Sequence, residues 1–176
     1  MDMQTLDVDT AIPAQCTTCK VRHRGICSVL TSEELHRLAG QARHSFHQPG
    51  EALTMESDEV TGYATVIEGV IKLSRVLRDG RQQLVGLQFS ADLLGRLYAS
   101  ESPMTAEAAS DVELCRMPKL MLESLVGSNA ELKQRLLEQS LQDLDEAREW
   151  MVTLGRKTAA ERVASLPLLI PPRSVG

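Results

Sequence analysis

The sequence has few aromatic residues and no long apolar run. Aromatic side chains make up 3% of the 176 residues, so aliphatic side chains must supply the core. No apolar stretch approaches the ~20 residues that a helix needs to cross a bilayer. The N-terminus, MDMQTLDVDT, is acidic and polar and lacks the basic and apolar regions of a secretory signal. We therefore predict a cytoplasmic protein with no membrane partner, in which thiols stay reduced.

The sequence also has little positive charge. Its 19 Lys and Arg residues against 24 Asp and Glu residues give a formal net charge of −5. Nonspecific binding to nucleic acid depends on clustered basic side chains that displace counterions from phosphates. Beyond the N-terminal cysteines the chain offers only a small basic cluster at Arg156, Lys157 and Arg162. By electrostatics alone we predict a poor DNA-binding protein.

Four cysteines are the most distinctive feature of the sequence. Cys16, Cys19 and Cys27 follow the spacing C-x2-C-x7-C, and Cys115 lies far along the chain. Iron–sulfur clusters are commonly held by four thiolates, one of them often distant in sequence. All-cysteine zinc sites also use C-x2-C, usually as two such pairs, and free thiols are often simply buried. The spacing leaves an iron–sulfur cluster, zinc and no metal all open.

The order of patterns along the chain indicates a mixed α+β fold. Thr31-Ser32-Glu33-Glu34 matches a capping box that begins a short helix. Short apolar and β-branched segments with turn signals follow, among them two strands broken at Glu68-Gly69. Such regularly spaced short strands favour an antiparallel β-roll or jelly roll.

We divide the chain into a leader at 1–30, a β-roll at 31–127, a long helix at 128–155 and a terminal segment at 156–176. Pro118 is expected in the first turn of a helix that Gly127 closes.

The longest helical pattern, at about 129–154, carries a possible dimer contact. Apolar or small residues recur with the 3-4-3-4-3 spacing of a coiled-coil seam. They are Leu137, Ser140, Leu144, Ala147, Met151 and Leu154. Only about two and a half heptads are present, so a helix packed on its own β-roll is the alternative. We predict a homodimer through this helix.

Four groups of residues point together to one family. They are the leader cysteines, the segment GVIKLSRVLRDGRQQLVGLQFSADLLG, the Cys-x-x-Pro at 115–118 and the segment GRKTAAERVAS. Over roughly residues 15–166 the chain resembles the oxygen-sensing branch of the Crp/Fnr family of bacterial transcription regulators. The resemblance implies a cyclic-nucleotide-binding-like β-roll (a double-stranded β-helix) as the sensor domain, followed by a dimerisation helix. It also implies that Cys16, Cys19, Cys27 and Cys115 hold a 4Fe–4S cluster whose loss in oxygen weakens the dimer.

The same resemblance implies promoter DNA and RNA polymerase as partners of the full-length regulators. Relatives that bind cyclic nucleotides use a Gly-Glu and an Arg-Ser pair, whereas this chain has Gly95-Arg96 in the corresponding stretch. We therefore expect no cyclic nucleotide. Family members continue into a winged helix-turn-helix, but here three prolines follow and the sequence stops at Gly176. Residues 156–176 are interpreted as the truncated start of a DNA-binding region, which makes DNA binding by this chain doubtful.

Two other classes of protein compete with a regulator. A zinc-stabilised cupin-like binding module without a redox role is the alternative, and colourless protein with stoichiometric zinc would favour it. An enzyme is disfavoured, because the sequence shows no Ser/His/Asp set, no phosphate-binding glycine loop and no His-rich barrel interior. We predict no catalytic residues. The four histidines form no constellation that indicates haem.

Overall fold

The computed structural model of the chain describes residues 12–156, 158, 160 and 161. Helices flank a central group of strands, in the order expected from the sequence. The helical elements are α1 (Ala14–Thr17), a 3₁₀ turn (Ile26–Val29), α2 (Ser32–Gln41), α3 (Lys119–Ser128) and α4 (Ala130–Arg156). The strands are β1 (Arg43–His47), β2 (Ala52–Thr54), β3 (Gly62–Glu68), β4 (Ile71–Val76), β5 (Gln82–Gln88), β6 (Leu93–Leu94), β7 (Thr105–Ala108) and β8 (Val112–Pro118).

The predicted capping box begins α2. The backbone N–H of Glu34 donates to Thr31 Oγ1 at 3.3 Å, and the Thr31 N–H donates to Glu34 Oε2 at 2.9 Å. These reciprocal bonds satisfy amides that have no partner inside the helix. A second box forms at the other end of the chain, where the Thr158 N–H donates to Glu161 Oε2 at 2.8 Å. The start of α2 was thus correctly predicted from local sequence.

The eight described strands form two antiparallel sheets. The strand orders are β1-β8-β3-β6 and β2-β7-β4-β5, so neighbours in a sheet are mostly distant in sequence. Aliphatic side chains between the sheets make the core, and Val66, Ile71 and Leu114 are fully buried there. This arrangement confirms the predicted mixed α+β fold with an antiparallel β-roll.

Gly69 forms the turn between β3 and β4 where the sequence predicted a break. Its φ is +99°, a left-handed conformation that favours glycine. A Cβ atom at this position would also overlap the carbonyl oxygen of Asp111 on the neighbouring connection. The turn therefore requires glycine for two independent reasons.

The junction between α3 and α4 differs from the prediction. Pro118 is the N-cap of α3 rather than a residue of its first turn, and the helix continues through Gly127 to Ser128. Asn129 ends α3 because its backbone is extended (φ −110°, ψ 110°), although its N–H still donates to the Leu125 carbonyl at 2.9 Å. Asn129 Oδ1 also accepts from the Leu132 N–H at 2.8 Å, which caps α4. Asn129 therefore ends α3 and caps α4, and Gly127 does not end the helix as predicted.

Helix α4 is 27 residues long and changes surroundings along its length. Leu132 and Leu136 are buried in the same core cluster as Ile26 and Leu122. After Leu136 the helix borders a cleft on one side and solvent on the other. Within the described residues no helix is both long and apolar enough to span a membrane.

Candidate metal centre

The structure places all four predicted cysteines around one small pocket. Cys16 lies in α1, Cys19 follows it, Cys27 lies in the 3₁₀ turn and Cys115 lies on β8. All four side chains line the same pocket between the leader and the sheet. Each is partly buried and carries a free thiol. The pocket brings together residues 88 positions apart (115 − 27), as a shared metal centre requires.

Cys115 faces the leader because of its register in the sheet. It lies directly opposite His44 on β1 and directly opposite Thr65 on β3. Residues that are paired across antiparallel strands share one face, and successive residues alternate between faces. Leu114 accordingly points into the core, where it is fully buried, while Cys115, His44 and Thr65 line the cysteine pocket.

Three of the four thiols have a raised pKa, which favours their neutral form. Burial, reinforced by neighbouring cysteines, raises the pKa of Cys27 and of Cys115 to about 12. Burial and then the proximity of Cys19 also raise the pKa of Cys16, while Arg22 acts in the opposite direction. Since thiolate is the form that binds metal, a metal centre here must displace protons.

Two polar atoms at the pocket have no hydrogen-bond partner among the described residues. They are Arg22 Nε and Thr65 Oγ1, both buried, and both residues line the pocket. Leaving a buried polar group unsatisfied costs about 1–3 kcal/mol. A thiolate-ligated iron–sulfur cluster is a suitable acceptor, because hydrogen bonds to its sulfurs tune such clusters. Four thiols with two unpartnered donors therefore fit the donor chemistry of a cluster.

The cysteine pocket is narrow in this structure. Its volume is about 20 Å³, which is room for about one water molecule. Among the described residues, no three His, Cys, Asp or Glu side chains are gathered so that they could hold a metal ion.

The leader is tied to the β-roll by polar contacts. Lys20 Nζ lies 2.5 Å from Glu68 Oε2 at the end of β3. Gln15 Nε2 donates to the Ala39 carbonyl of α2 at 2.8 Å. A Cβ atom on Gly25 would lie only 3.1 Å from the Ala91 carbonyl oxygen, so the leader backbone approaches the β-roll closely there. Two of these contacts are exposed side-chain bonds and can break at little cost.

The segment that carries Cys27 also contacts the start of α4. Ile26 is fully buried in one cluster with Leu132 and Leu136. An Arg135 side-chain N–H donates to the Arg24 carbonyl at 2.6 Å. Asn129, the cap of α4, donates to Glu34 Oε2 at 2.9 Å. A displacement of the leader would therefore disturb the first turns of α4.

The predicted dimer residues are only partly on one exposed face. Leu137, Leu144 and Met151 are 61%, 45% and 68% exposed. Ser140 and Ala147 border the cleft between α4 and the β-roll. The side chain of Leu154 lies outside the described part of the chain, and so do residues 162–176 of the predicted DNA-binding segment.

The heptad pattern missed two exposed apolar residues of α4. Leu141 is 53% and Val152 is 52% exposed. Leu141 lies four positions after Leu137 and three before Leu144, so the three share one helix face. The exposed apolar stripe thus consists of Leu137, Leu141, Leu144, Met151 and Val152. Whether it forms a dimer contact stays a prediction.

A second and larger cavity lies between the β-roll and α4. It is a cleft of about 920 Å³, and Gly95 and Arg96 are among its lining residues. Arg116 also borders it and donates from Nε to Ser45 Oγ at 3.0 Å. Ser45 Oγ lies 3.0 Å from His47 Nε2. These polar residues are distant in sequence from Arg116, and only the β1–β8 pairing shows that they meet.

Comparison with known proteins identifies the type of fold. The cyclic nucleotide-binding domain family matches residues 45–129, which span β2 to β8 and α3. Among solved structures, FixK2 from Bradyrhizobium japonicum has a TM-score of 0.66 and 27% identity, and the match covers 72% of this chain and 64% of FixK2. The β-roll is thus of the cyclic-nucleotide-binding type, as predicted.

Two relatives then give the family. A probable transcriptional activator of Rhizobium leguminosarum is 44% identical over 165 residues, which is 92% of this chain and 68% of that protein. The transcriptional activator protein FnrL of Cereibacter sphaeroides is 36% identical over 169 residues, with 96% and 68% covered. The chain belongs to the Crp/Fnr family of transcription regulators, and its relatives are not enzymes, as predicted.

Proposed function

We propose that this chain is the sensor and dimerisation part of an oxygen- or redox-responsive transcription regulator. Cys16, Cys19, Cys27 and Cys115 hold a 4Fe–4S cluster, and its presence controls dimerisation through α4 and hence binding to promoter DNA. The observation that carries this proposal is the convergence of four thiols and two unpartnered donors on one pocket. The 36% identity to the transcriptional activator protein FnrL supports the transcription-regulator part of the proposal.

The leader connects the state of the cysteines to α4. When bound, the cluster supplies a redox-active cross-link between the leader and β8. Cys27 then holds its 3₁₀ turn in place, and Ile26 in the same turn packs against Leu132 and Leu136. Release of Cys27 leaves only local contacts to keep that turn on α4. A packed interface of this kind has discrete arrangements, and a small change at one end can shift their populations.

The exposed apolar stripe is the surface on which α4 dimerises. Leu137, Leu141 and Leu144 present adjacent apolar side chains to solvent in the single chain. Burial of such side chains against a second copy removes apolar surface from water, which favours association. The homodimer is the form that binds promoter DNA and engages RNA polymerase in the whole regulator.

Metal and sulfide content tests the proposal. Protein purified without oxygen should carry about four iron and four acid-labile sulfide atoms per chain, with visible absorbance that bleaches in air. Replacement of each cysteine by serine, one at a time, should abolish the visible absorbance, whereas Ser28→Ala in the same 3₁₀ turn should retain it. Zinc in place of iron, with no visible band, would contradict the cluster and leave a zinc-bound β-roll.

A further inference from the structure

The cysteine pocket contains two donors that the cysteine spacing does not predict. Thr65 is 4% exposed, and its hydroxyl has no partner among the described residues. It lies on β3 directly opposite Cys115, so its side chain shares the pocket face with that thiol. A buried threonine in a sheet is ordinarily satisfied or replaced by valine of the same shape. The unsatisfied hydroxyl is therefore available to donate to a group held in the pocket.

Arg22 approaches the same pocket from the leader. One of its terminal nitrogens lies 2.8 Å from His23 Nε2, while its Nε is buried and unpartnered among the described residues. Its positive charge lowers the pKa of Cys16 and of Cys27, against the larger effect of burial. Arg22 lies between Cys19 and Cys27 in the sequence, so it moves with the ligands.

We propose that Arg22 and Thr65 donate hydrogen bonds to the metal centre held by the four cysteines, and that they set its reduction potential and its lifetime in air. This inference rests on the proposed function. Hydrogen bonds to cluster and thiolate sulfurs stabilise the more negative, reduced state. Removal of either donor lowers the potential, so the centre loses an electron to oxygen more readily.

The two donors lie on opposite walls of the pocket. Thr65 is a neutral residue of the β-roll, whereas Arg22 is a charged residue of the leader. Thr65 consequently tunes the centre through the hydrogen bond alone. Arg22 adds a positive charge that partly offsets the charge of the ligated thiolates.

Four variants test this inference on anaerobically loaded protein. Thr65→Val removes the hydroxyl and keeps the shape, and Thr65→Ser restores it. Arg22→Gln removes the charged donor, and Arg37→Gln removes a matched charge from the exposed face of α2. The readouts are iron and sulfide content, the midpoint reduction potential and the rate at which visible absorbance is lost in air.

The expected result is specific to the pocket variants. Thr65→Val and Arg22→Gln should load fully but bleach roughly fivefold faster, the size expected of one net hydrogen bond. That factor corresponds to a potential about 40 mV lower for a one-electron couple. Thr65→Ser and Arg37→Gln should match the wild type. Equal potentials and bleaching rates in all fully loaded proteins would overturn the inference and leave the proposed function intact.

Two further outcomes separate this inference from the proposed function. A wild-type chain that takes up no iron or sulfide contradicts the proposed function itself. Thermal unfolding of the metal-free proteins needs no cluster at all. There Thr65→Val should raise the melting temperature by about 3 °C, because it removes an unsatisfied buried hydroxyl. A lower melting temperature would show that the hydroxyl already has a structural partner, which contradicts its role as a free donor.

Discussion

The first two turns of α4 (130–136) and the rest of the helix (137–156) have opposite surroundings in one continuous helix. Leu132 and Leu136, in the buried first part, are 0% and 8% exposed and share a core with the turn that carries Cys27. Leu137 and Met151, in the exposed second part, are 61% and 68% exposed. The helix therefore joins a buried part that packs against the leader to a part with exposed apolar side chains. A rigid helix can transmit a change at one end to the other without any contact between the cysteines and the dimer surface.

The largest expected effect comes from a matched pair of leucine truncations. Leu132→Ala should lower the free energy of unfolding by about 2–5 kcal/mol, because it opens a cavity in the core. Leu137→Ala, five positions later, should leave the unfolding of the monomer nearly unchanged and weaken the dimer instead. Urea denaturation and sedimentation equilibrium measure the two effects. Equal loss of monomer stability in both variants would contradict the division of α4.

Metal binding by the cysteine pocket should depend strongly on pH. The raised pKa values of Cys27 and Cys115, about 12, keep both thiols protonated at neutral pH. Each must lose its proton to bind metal, so metal affinity rises with pH. These two thiols alone should strengthen zinc binding to the metal-free protein about a hundredfold per pH unit between pH 6 and 8. Competition with a chelator measures this slope, and a pH-independent affinity would show that the thiols are already ionised.

Ala147→Asp tests whether the predicted seam extends beyond the exposed apolar stripe to Ala147, which borders the cleft. In the predicted seam, Ala147 approaches its equivalent across the two-fold axis, and two carboxylates there would repel each other. We expect the dimer of the variant to dissociate about tenfold more readily, with the largest loss in metal-free protein. Ala147→Ser keeps the position small and uncharged and should dimerise like the wild type. Analytical ultracentrifugation provides the comparison, and equal dimerisation of the Asp variant would place Ala147 outside the interface.

The smallest expected effect on stability is at Arg135, where the buried and exposed parts of α4 meet. Arg135→Gln removes the side-chain donor to the Arg24 carbonyl. The monomer should lose only about 1 kcal/mol of stability, but the cluster should have less influence on dimerisation. Lys133→Gln, which removes a donor to the Gly127 carbonyl, is the matched control. The ratio of dimer dissociation constants with and without cluster should shrink in the first variant only.

The features that follow from local sequence were predictable. Thr31 and Glu34 form the capping box, and Gly69 forms the turn, because each depends only on neighbouring residues. The stop at Gly127 was predicted wrongly, since α3 continues to Ser128 and ends at Asn129, whose side chain caps α4. The spacing of the cysteines indicated a shared site, and the fold brings them to one pocket.

The rest of the site depends on strand register, which no short pattern encodes. Thr65 is one of several threonines in the sequence, and only its position opposite Cys115 gives it a role. Arg22 is a charged residue of the leader, and only the fold shows that its Nε is buried. The exposed Leu141 was missed because the strict 3-4 seam left it out, whereas the helix itself has a broader apolar face.

The most direct test of the account is the dimer dissociation constant of one preparation with and without its cluster. Sedimentation velocity without oxygen, repeated after air has bleached the visible absorbance, gives both values on the same chain. The account predicts a tighter dimer with the cluster and, because Ala147 is uncharged, a dimer that remains detectable at micromolar concentration without it. Identical dissociation constants before and after complete bleaching would contradict the proposed link between the cysteine pocket and α4.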